Sequence, residues 1–273
     1  MLFRSRLIPC VCTRLVRDIG STPVGSTSSL MMKLCYVYTS PQHRFGDEAA
    51  RLMRLQIDNS LDLGWHPDDI LLYTNFHYDY RGVYARLVPD LYTAFDPTSN
   101  KIPVLLHLLQ SAAFPSVDDL YWYHDLDVYQ LLWFTPPPVQ QFGCARYGYK
   151  HDWQCGSFFF RPTAFMRDFF ARWNEEIAFI PTWSEYAKTR TDEKALKSLA
   201  LRGILPVEEL NHRYNHVFKY ADWTYDRAVK PILASHFHPE PESMARMVRG
   251  ENKHKHPFVN DRLAYLLKQH GFE

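Results

Sequence analysis

The stretch LYWYHDLD, residues 120–127, is the most informative part of this chain. Its apolar half predicts a buried strand, and two carboxylates, Asp125 and Asp127, follow where that strand ends. Side chains two positions apart in an extended chain point the same way, so both carboxylates can face one ion if the chain turns only slightly there. Carboxylates suit a hard divalent cation, which can in turn hold a diphosphate. The competing interpretation is a solvated aspartate pair that caps the strand.

Length, composition and charge exclude several classes of protein. The 273 residues fit one large α/β domain or two small ones, and 46% hydrophobic residues suffice for a sizeable core. The net charge of +1 gives no electrostatic case for a nucleic-acid partner. The sequence has no apolar run of about 18 residues, so we expect no integral membrane association.

The five cysteines include no Cys-x-x-Cys pair, which argues against a disulfide framework or a structural zinc site. We therefore expect a reducing compartment and a cytoplasmic location. Residues 1–30 differ from the rest, because they are rich in arginine and poor in acids and end in a Gly/Ser/Thr-rich run. They are interpreted as a disordered tail, a transit-like peptide or an over-extended reading frame. The folded domain is expected over residues 31–273.

Strands and helices alternate along that domain. Short apolar runs predict strands at residues 34–38, 70–74, 120–123, 142–146, 157–160 and 232–235. Apolar residues at helical spacing, or start signals, predict helices at residues 46–61, 101–113, 164–180, 191–203 and 260–269. The alternation predicts a single Rossmann-like α/β domain, with a mostly parallel central sheet covered by helices on both faces.

Ligands of such sheets bind beyond the carboxyl ends of the strands. This rule brings Thr39-Ser40, Thr74-Asn75, Asp125-Asp127 and His236 to one edge of the predicted sheet. This prediction rests on the architecture of the sheet alone and on no comparison with a protein family.

Three further segments can contribute to the same site. Gln154 and Gly156 open an apolar strand, where the amide can bond to hydroxyls and the glycine permits close backbone approach. Thr191 opens a helix, followed by Asp192 and Glu193. Its simplest interpretation is a helix cap with acids that complement the helix dipole, which does not exclude catalysis. The third segment is a loop rich in Asn, His and Tyr over residues 211–215.

In order and type, these segments resemble the nucleotide-sugar glycosyltransferases of the GT-A fold over residues 33–240. They look most like the retaining branch that includes glycogenin and bacterial lipopolysaccharide galactosyltransferases. The family's Asp-x-Asp matches Asp125 and Asp127, and its late metal-binding histidine, followed by an aromatic, matches His236. Further matches are Gln154-Cys155-Gly156 for Asn-x-Gly, Asp192-Glu193 for Asp-Gln, Tyr214-Asn215 for Tyr-Asn, and Lys101 for a basic residue on the preceding helix.

The chain departs from the family pattern at three places. Gln154 replaces the family's Asn, and Glu193 replaces its Gln. The Gly-x-x-Lys-Pro-Trp continuation is missing after the late histidine, and His238-Pro239-Glu240-Pro241 stands there instead. The diphosphate contact that the family's lysine makes is therefore in doubt for this chain.

The resemblance implies an enzyme that transfers a sugar from a nucleotide diphosphate donor to an acceptor hydroxyl. Asp125, Asp127 and His236 would hold a divalent metal ion, with Asp125 also facing the ribose. Mg²⁺ prefers oxygen ligands, so the imidazole of His236 favours Mn²⁺ over Mg²⁺. UDP is the default nucleotide, since an aromatic at the end of the first strand can stack on a pyrimidine.

The other site residues follow from the same resemblance. Tyr38, Thr39 and Ser40 would line the base pocket with Asn75 nearby, and Lys101 would contact the nucleotide. Asp192 would hold hydroxyls of the donor sugar, beside Glu193 at the reacting face and Gln154. The late histidine favours retention of the anomeric configuration over inversion. Glutamate at position 193 weakens that preference, because a carboxylate on the acceptor side could act as a general base.

Two other functions compete with sugar transfer. A sugar-nucleotide pyrophosphorylase would need a Gly-rich phosphate loop after the first strand, but residues 39–46 contain one glycine and no such pattern. A non-catalytic carbohydrate-binding domain would not need both aspartates and His236. The acceptor stays open among glycan, protein and small molecule. A nucleic-acid acceptor is disfavoured, because the basic cluster at residues 253–256 is typical of a solvated loop.

Overall fold

The computed structural model describes residues 31–93, 95–146, 152–180, 190–204, 207–217, 225–238 and 259–272. The strands are β1 Met32–Tyr38, β2 Ile70–Thr74, β3 Asp79–Tyr80, β4 Val83–Leu87, β5 Leu120–His124, β6 Val128–Gln130, β7 Phe142–Arg146, β8 Trp153–Phe160, β9 Glu208–Leu210, β10 His216–Val217 and β11 Ala234–His236. The helices are α1 Asp47–Asp62, α2 Lys101–Gln110, α3 Ala164–Phe179, α4 Thr191–Leu201 and α5 Asp261–Gln269. The N-terminal tail and the basic cluster at residues 253–256 lie outside the described residues.

The central sheet has the strand order β3-β4-β2-β1-β5-β8-β7-β9. Strands β4, β2, β1 and β5 pair in parallel, as do β7 and β9, whereas β8 is antiparallel to both of its neighbours and β3 is antiparallel to β4. The predicted mostly parallel α/β sheet is therefore confirmed, with β3 and β8 reversed. Strand β8 follows β7 after a short connection, and only antiparallel strands can be joined that way.

Helices cover both faces of this sheet, as predicted. Cys35 and Tyr121 belong to the core that is packed by α2, α3 and α4. Their sequence neighbours Tyr36 and Trp122 belong to the opposite core, which is packed by α1. Alternate residues of a strand point to opposite faces, and both faces are buried here, which explains why the strands are continuous apolar runs in the sequence.

A second, three-stranded sheet of order β10-β11-β6 lies next to the end of β5. Its strand β6 follows the Asp-x-Asp segment directly, and its strand β11 ends at His236. A third hydrophobic cluster joins this sheet to helices α1 and α5, through Tyr129 and Phe237 on the sheet side and Leu55 and Leu267 on the helices. The sheet therefore fixes the late histidine relative to the two aspartates.

Several predicted boundaries were wrong. Helix α2 ends at Gln110 instead of residue 113, and β8 begins at Trp153 instead of Ser157 because it continues to pair with β7 as far as Arg146. Gln154 and Gly156 therefore lie within the strand. His236 is the last residue of β11 instead of the residue after the strand.

Cys35, Cys144 and Cys155 are free and buried.

Candidate active site

Asp125 and Asp127 lie in a tight turn between β5 and β6. The backbone N–H of Val128 donates a 3.1 Å hydrogen bond to the carbonyl of Asp125, which closes the turn. The nearly extended conformation that we named as a condition for a shared site is not present, because the chain must leave the central sheet here to enter the second one. Both carboxylates nevertheless line one cleft, and each is about one-third exposed, at 31% and 32%.

His236 is held beside this turn by strand pairing. Strand β11 runs antiparallel to β6 with His236 opposite Val128, and the N–H of Phe237 donates a 2.9 Å bond to the carbonyl of Asp127. As a result, His236 Nε2 lies 3.4 Å from Asp127 Oδ2. A sequence separation of more than a hundred residues is thus closed by backbone hydrogen bonds.

Gly156 brings a third segment to the same place. The N–H of Asp125 donates a 2.8 Å bond to the carbonyl of Gly156, since the reversed direction of β8 sets its beginning beside the end of β5. A Cβ atom at position 156 would lie 2.5 Å from Cε1 and 3.0 Å from Nδ1 of His236, and 3.3 Å from Asp125 Oδ2. Only glycine leaves room for the imidazole and the carboxylate together.

Two carboxylates and an imidazole are chemically suited to a divalent metal ion. Burial raises the pKa of Asp127, but the neighbouring His236 outweighs burial and lowers it to about 2. Burial lowers the pKa of His236, but the nearby Asp127 and Asp125 outweigh burial and raise it. The buried Nδ1 atom of His236 has no hydrogen-bond partner within the part of the chain that the structure describes. Among the described residues, no group of three His, Cys, Asp or Glu side chains is placed so that it could hold a metal ion, so these side chains would have to move to bind one.

Lys101 links the aspartate turn to helix α4. Its side chain is only 3% exposed, and Nζ lies 3.3 Å from Asp125 Oδ1 and 2.7 Å from Asp192 Oδ2. Nζ also donates to the carbonyl of Thr98 at 3.1 Å. Burial lowers the pKa of Lys101, but the two carboxylates outweigh burial and raise it well above its ordinary value. Lys101 is therefore a buried cation. Tyr123 donates a 2.5 Å bond to Asp125 Oδ1 and so helps to hold the carboxylate that pairs with Lys101.

Helix α4 does not begin with the cap that the sequence predicts. Arg190 is the N-cap residue, in the left-handed region at φ 52° and ψ 44°, and it makes no side-chain cap bond. The N–H of Thr191 donates instead to Asp96 Oδ2 at 2.7 Å, and the N–H of Asp192 donates to Ser99 Oγ at 3.1 Å. The predicted capping role of Thr191 was therefore wrong, because a distant segment satisfies the first N–H groups of this helix.

Two adjoining clefts contain this arrangement. The outer cleft, of about 670 Å³, is lined by Tyr38, the last residue of β1, and by Thr39 and Ser40, which follow that strand. The inner cleft, of about 330 Å³, is lined by Gln154, Gly156, Asp192, Glu193, Arg190 and His236 among others. Both clefts are lined by Thr98, Lys101, Asp125 and Asp127. The aspartate turn therefore stands where the two clefts meet.

Comparisons with known proteins agree with this architecture. No family model and no curated protein sequence matches the chain. Among solved structures, an active-site glutamine-to-glutamate mutant of LgtC is 15% identical, with a TM-score of 0.53 over 87% of this chain and 96% of that one. The galactosyltransferase LgtC in complex with donor and acceptor sugar analogues is 13% identical, with a TM-score of 0.50 over the same shares. The glycosyltransferase GlyE of Streptococcus pneumoniae TIGR4 is 11% identical, with a TM-score of 0.52 over 90% of this chain and 62% of that one.

The chain has the GT-A fold of glycosyltransferases. The resemblance inferred from the order of the motifs is thereby confirmed at the level of the fold. None of the helices among the described residues of this GT-A domain is both long and apolar enough to cross a bilayer.

One predicted binding residue of the GT-A domain supports the cleft wall from behind. The side chain of Asn75 accepts a bond from the N–H of Ser40 at 3.0 Å and donates to the carbonyl of Ser40 at 2.8 Å. It also donates to Asp90 at 2.8 Å. Asn75 therefore fixes the backbone that follows β1, while Tyr38, Thr39 and Ser40 line the cleft itself.

Sequence reasoning missed several residues of this site. Tyr92 and Arg190 line the clefts from irregular segments, where no periodicity marks them. Asp96 and Ser99, which cap α4, do carry a signal. The run Asp96-Pro97 is typical of a helix start, and Pro97–Ser99 forms a short 3₁₀ helix whose N-cap is Asp96. The second function of Asp96 as a cap for α4 leaves no trace in the sequence.

Proposed function

We propose that the chain is a metal-dependent glycosyltransferase that moves a sugar from a nucleotide diphosphate donor to an acceptor hydroxyl. The observation that carries this proposal is the position of Asp125 and Asp127 where two clefts of a GT-A fold meet, with His236 3.4 Å from Asp127 in the inner cleft. A nucleotide in one cleft and a sugar in the other would place the diphosphate at this junction. The bond that breaks, between the anomeric carbon and the diphosphate oxygen, would then lie beside the acids and the imidazole.

The outer cleft suits a nucleoside, and UDP is the favoured nucleotide. Tyr38 and Tyr92 both line it, and each offers an aromatic ring that can stack on a base. Tyr38 is supported by Phe45, whose ring centroid lies 4.6 Å away. The hydroxyl of Thr39 already donates to the carbonyl of Leu91 at 3.0 Å, so Thr39 shapes the wall.

Asp125, Asp127 and His236 would hold the metal ion, with Mn²⁺ favoured over Mg²⁺ because one ligand is an imidazole. When bound, the ion would offset the negative charge that builds on the departing diphosphate. The protein prepares this position in two ways. Gly156 leaves space beside His236. The positive charge of Lys101 offsets the negative charges of Asp125 and Asp192 and so reduces the repulsion between these acids.

The inner cleft would hold the transferred sugar. Asp192 is almost fully buried and fixed by Lys101, so its remaining lone pairs can accept bonds from sugar hydroxyls without losing orientation. Gln154 is also buried and offers an amide to the same space. Glu193 lines the cleft next to Asp192 and would lie at the reacting face. The late histidine His236 favours the retaining outcome over the inverting one, although a carboxylate at position 193 could also act as a general base.

The test of this proposal is isothermal titration with UDP in the presence and absence of Mn²⁺, followed by a screen for hydrolysis of UDP- and GDP-sugars without acceptor. We expect UDP to bind only with Mn²⁺, and at least one donor to be hydrolysed. Asp127→Ala should abolish both while the fold remains intact. Asp68→Ala, which removes an exposed carboxylate on another edge, is the matched control.

Each alternative outcome has a definite meaning. Failure of the natural chain to bind any nucleotide with Mn²⁺ would refute the proposal. Metal-dependent binding without hydrolysis or transfer for any donor would indicate a non-catalytic binding domain. Full activity of Asp127→Ala would refute the metal-binding role of the aspartate turn.

A further inference from the structure

The described residues that line the inner cleft include as many basic side chains as acidic ones. The acids are Asp125, Asp127, Asp192 and Glu193, and the bases are Lys101, Arg190, His236 and His238. Charges that line a small cleft interact strongly. A base that forms no ion pair with an acid is therefore the one available to bind a ligand.

Three of the four bases are already paired. Lys101 lies between Asp192 and Asp125, and His236 lies 3.4 Å from Asp127. The ring of His238 is 3.7 Å from Glu48, a residue of α1. In contrast, no acid among the described residues forms an ion pair with the guanidinium of Arg190, which is exposed to the cleft.

The backbone of Arg190 is held in an unusual conformation. Its φ of 52° lies in the left-handed region, which residues with a side chain seldom adopt. Such conformations persist only where the surroundings fix them, and they are concentrated at ligand sites. Here helix α4 provides the fixing contacts, because its next two N–H groups bond to Asp96 and Ser99, and the N–H of Lys194 donates to the carbonyl of Arg190 at 3.2 Å.

We propose, on the basis of the function proposed above, that Arg190 binds an anionic oxygen of the donor. The guanidinium presents paired N–H donors that match the two oxygens of a phosphate or carboxylate. The source of that anion is either the donor's diphosphate or a carboxylate on the transferred sugar. Arg190 lines the inner cleft without lining the outer one, so it meets the donor on the side of the sugar.

The experiment compares the natural chain with Arg190→Gln and Arg190→Lys in titrations with UDP, UDP-glucose and UDP-glucuronate, all with Mn²⁺. Arg167→Gln is the control, because Arg167 is an exposed arginine of α3 that lines neither cleft and lies 3.5 Å from Asp168. A thermal unfolding curve for each variant establishes that the fold is intact. We expect Arg190→Gln to weaken binding by about tenfold or more, since a hydrogen bond to a charged group is lost. Arg190→Lys should recover part of the affinity.

The three ligands distinguish the sources of the anion. Weaker binding of all three by Arg190→Gln indicates the diphosphate, whereas weaker binding of UDP-glucuronate alone indicates a sugar carboxylate. Equal binding of all three ligands by Arg190→Gln and the natural chain overturns the inference while the proposed function stands. If the natural chain itself binds none of them, the proposed function fails and the inference fails with it.

Discussion

The backbone N–H of Thr191 donates a 2.7 Å hydrogen bond to the carboxylate of Asp96, a residue 95 positions earlier in the chain. Together with Ser99, Asp96 caps helix α4, which carries Asp192 and Glu193 into the inner cleft. The position of two proposed sugar-contacting acids thus depends on a segment that precedes α2.

Asp96→Asn should destabilise the protein by about 2 kcal/mol, because one buried acceptor oxygen is replaced by a donor that faces other donors. Both carboxylate oxygens are engaged, by Thr98 on one side and by Ser99 and Thr191 on the other. Urea unfolding at pH 7 measures the loss. An unchanged free energy of unfolding would show that the cap is dispensable.

The stability of the natural chain and that of Asp96→Asn should depend differently on pH. Burial raises the pKa of Asp96, but the hydrogen bonds from Thr98, Thr191 and Ser99 outweigh burial and lower it. A carboxyl group whose pKa is lowered in the folded state contributes its full stabilisation above the ordinary aspartate pKa of about 4. That contribution is lost as the pH falls through the lowered pKa. The stability gap between the natural chain and Asp96→Asn should therefore be largest at pH 7 and shrink below about pH 4. A constant gap across this range would contradict the assignment.

Gly156→Ala should weaken Mn²⁺-dependent UDP binding by at least about tenfold, because the new methyl group displaces His236 from the aspartates. The added Cβ would lie 2.5 Å from the imidazole Cε1. Calorimetric titration measures the effect. Gly46→Ala is the matched control, since a Cβ atom there has nothing within 4 Å. Unchanged binding by Gly156→Ala would mean that His236 can move without cost.

Lys101→Met should lower the free energy of unfolding by about 3 kcal/mol, because it leaves the buried carboxylate of Asp192 without its cation. The side chains of Lys101 and Asp192 are each 3% exposed, so water cannot screen the loss. The double variant Lys101→Met with Asp192→Asn should recover part of that stability. Denaturant unfolding of both variants is the measurement. Equal stability of Lys101→Met and the natural chain would show that the ion pair contributes nothing.

Glu193→Gln distinguishes the two stereochemical outcomes. If the enzyme retains the anomeric configuration, glutamine should lower turnover by less than about tenfold, because no proton has to pass to residue 193. If Glu193 is a general base, it would instead raise turnover about 10²- to 10⁴-fold, and Glu193→Gln should lower turnover by that factor. Turnover measurements and the anomeric configuration of the product, determined by NMR, decide between them. A large loss combined with an inverted product would refute the retaining assignment.

Local sequence was sufficient for most elements of the sheet. The predicted and observed bounds of β2 at Ile70–Thr74 and of β7 at Phe142–Arg146 coincide. Both are short apolar runs between turn residues, and burial on both faces makes such runs distinct. The short strands β3, β4, β6, β9 and β10 were not predicted. Hydrogen bonds to neighbouring strands define them, and their own composition does not.

The order of the motifs by itself indicated the fold and predicted that Asp125, Asp127 and His236 lie together. The expected reason, parallel strands of one sheet, was wrong for His236, because β11 belongs to the second sheet and is antiparallel to β6. Only the tertiary structure decided how the charges pair. The bridge from Lys101 to Asp192 and the cap from Asp96 join segments that meet only after folding. The same holds for the guanidinium of Arg190, which lines the inner cleft and forms no ion pair with an acid in the described part of the chain. Electrostatic and hydrogen-bond partners are set by distances of a few ångströms across the chain, whereas sequence patterns record mainly which face of an element is buried.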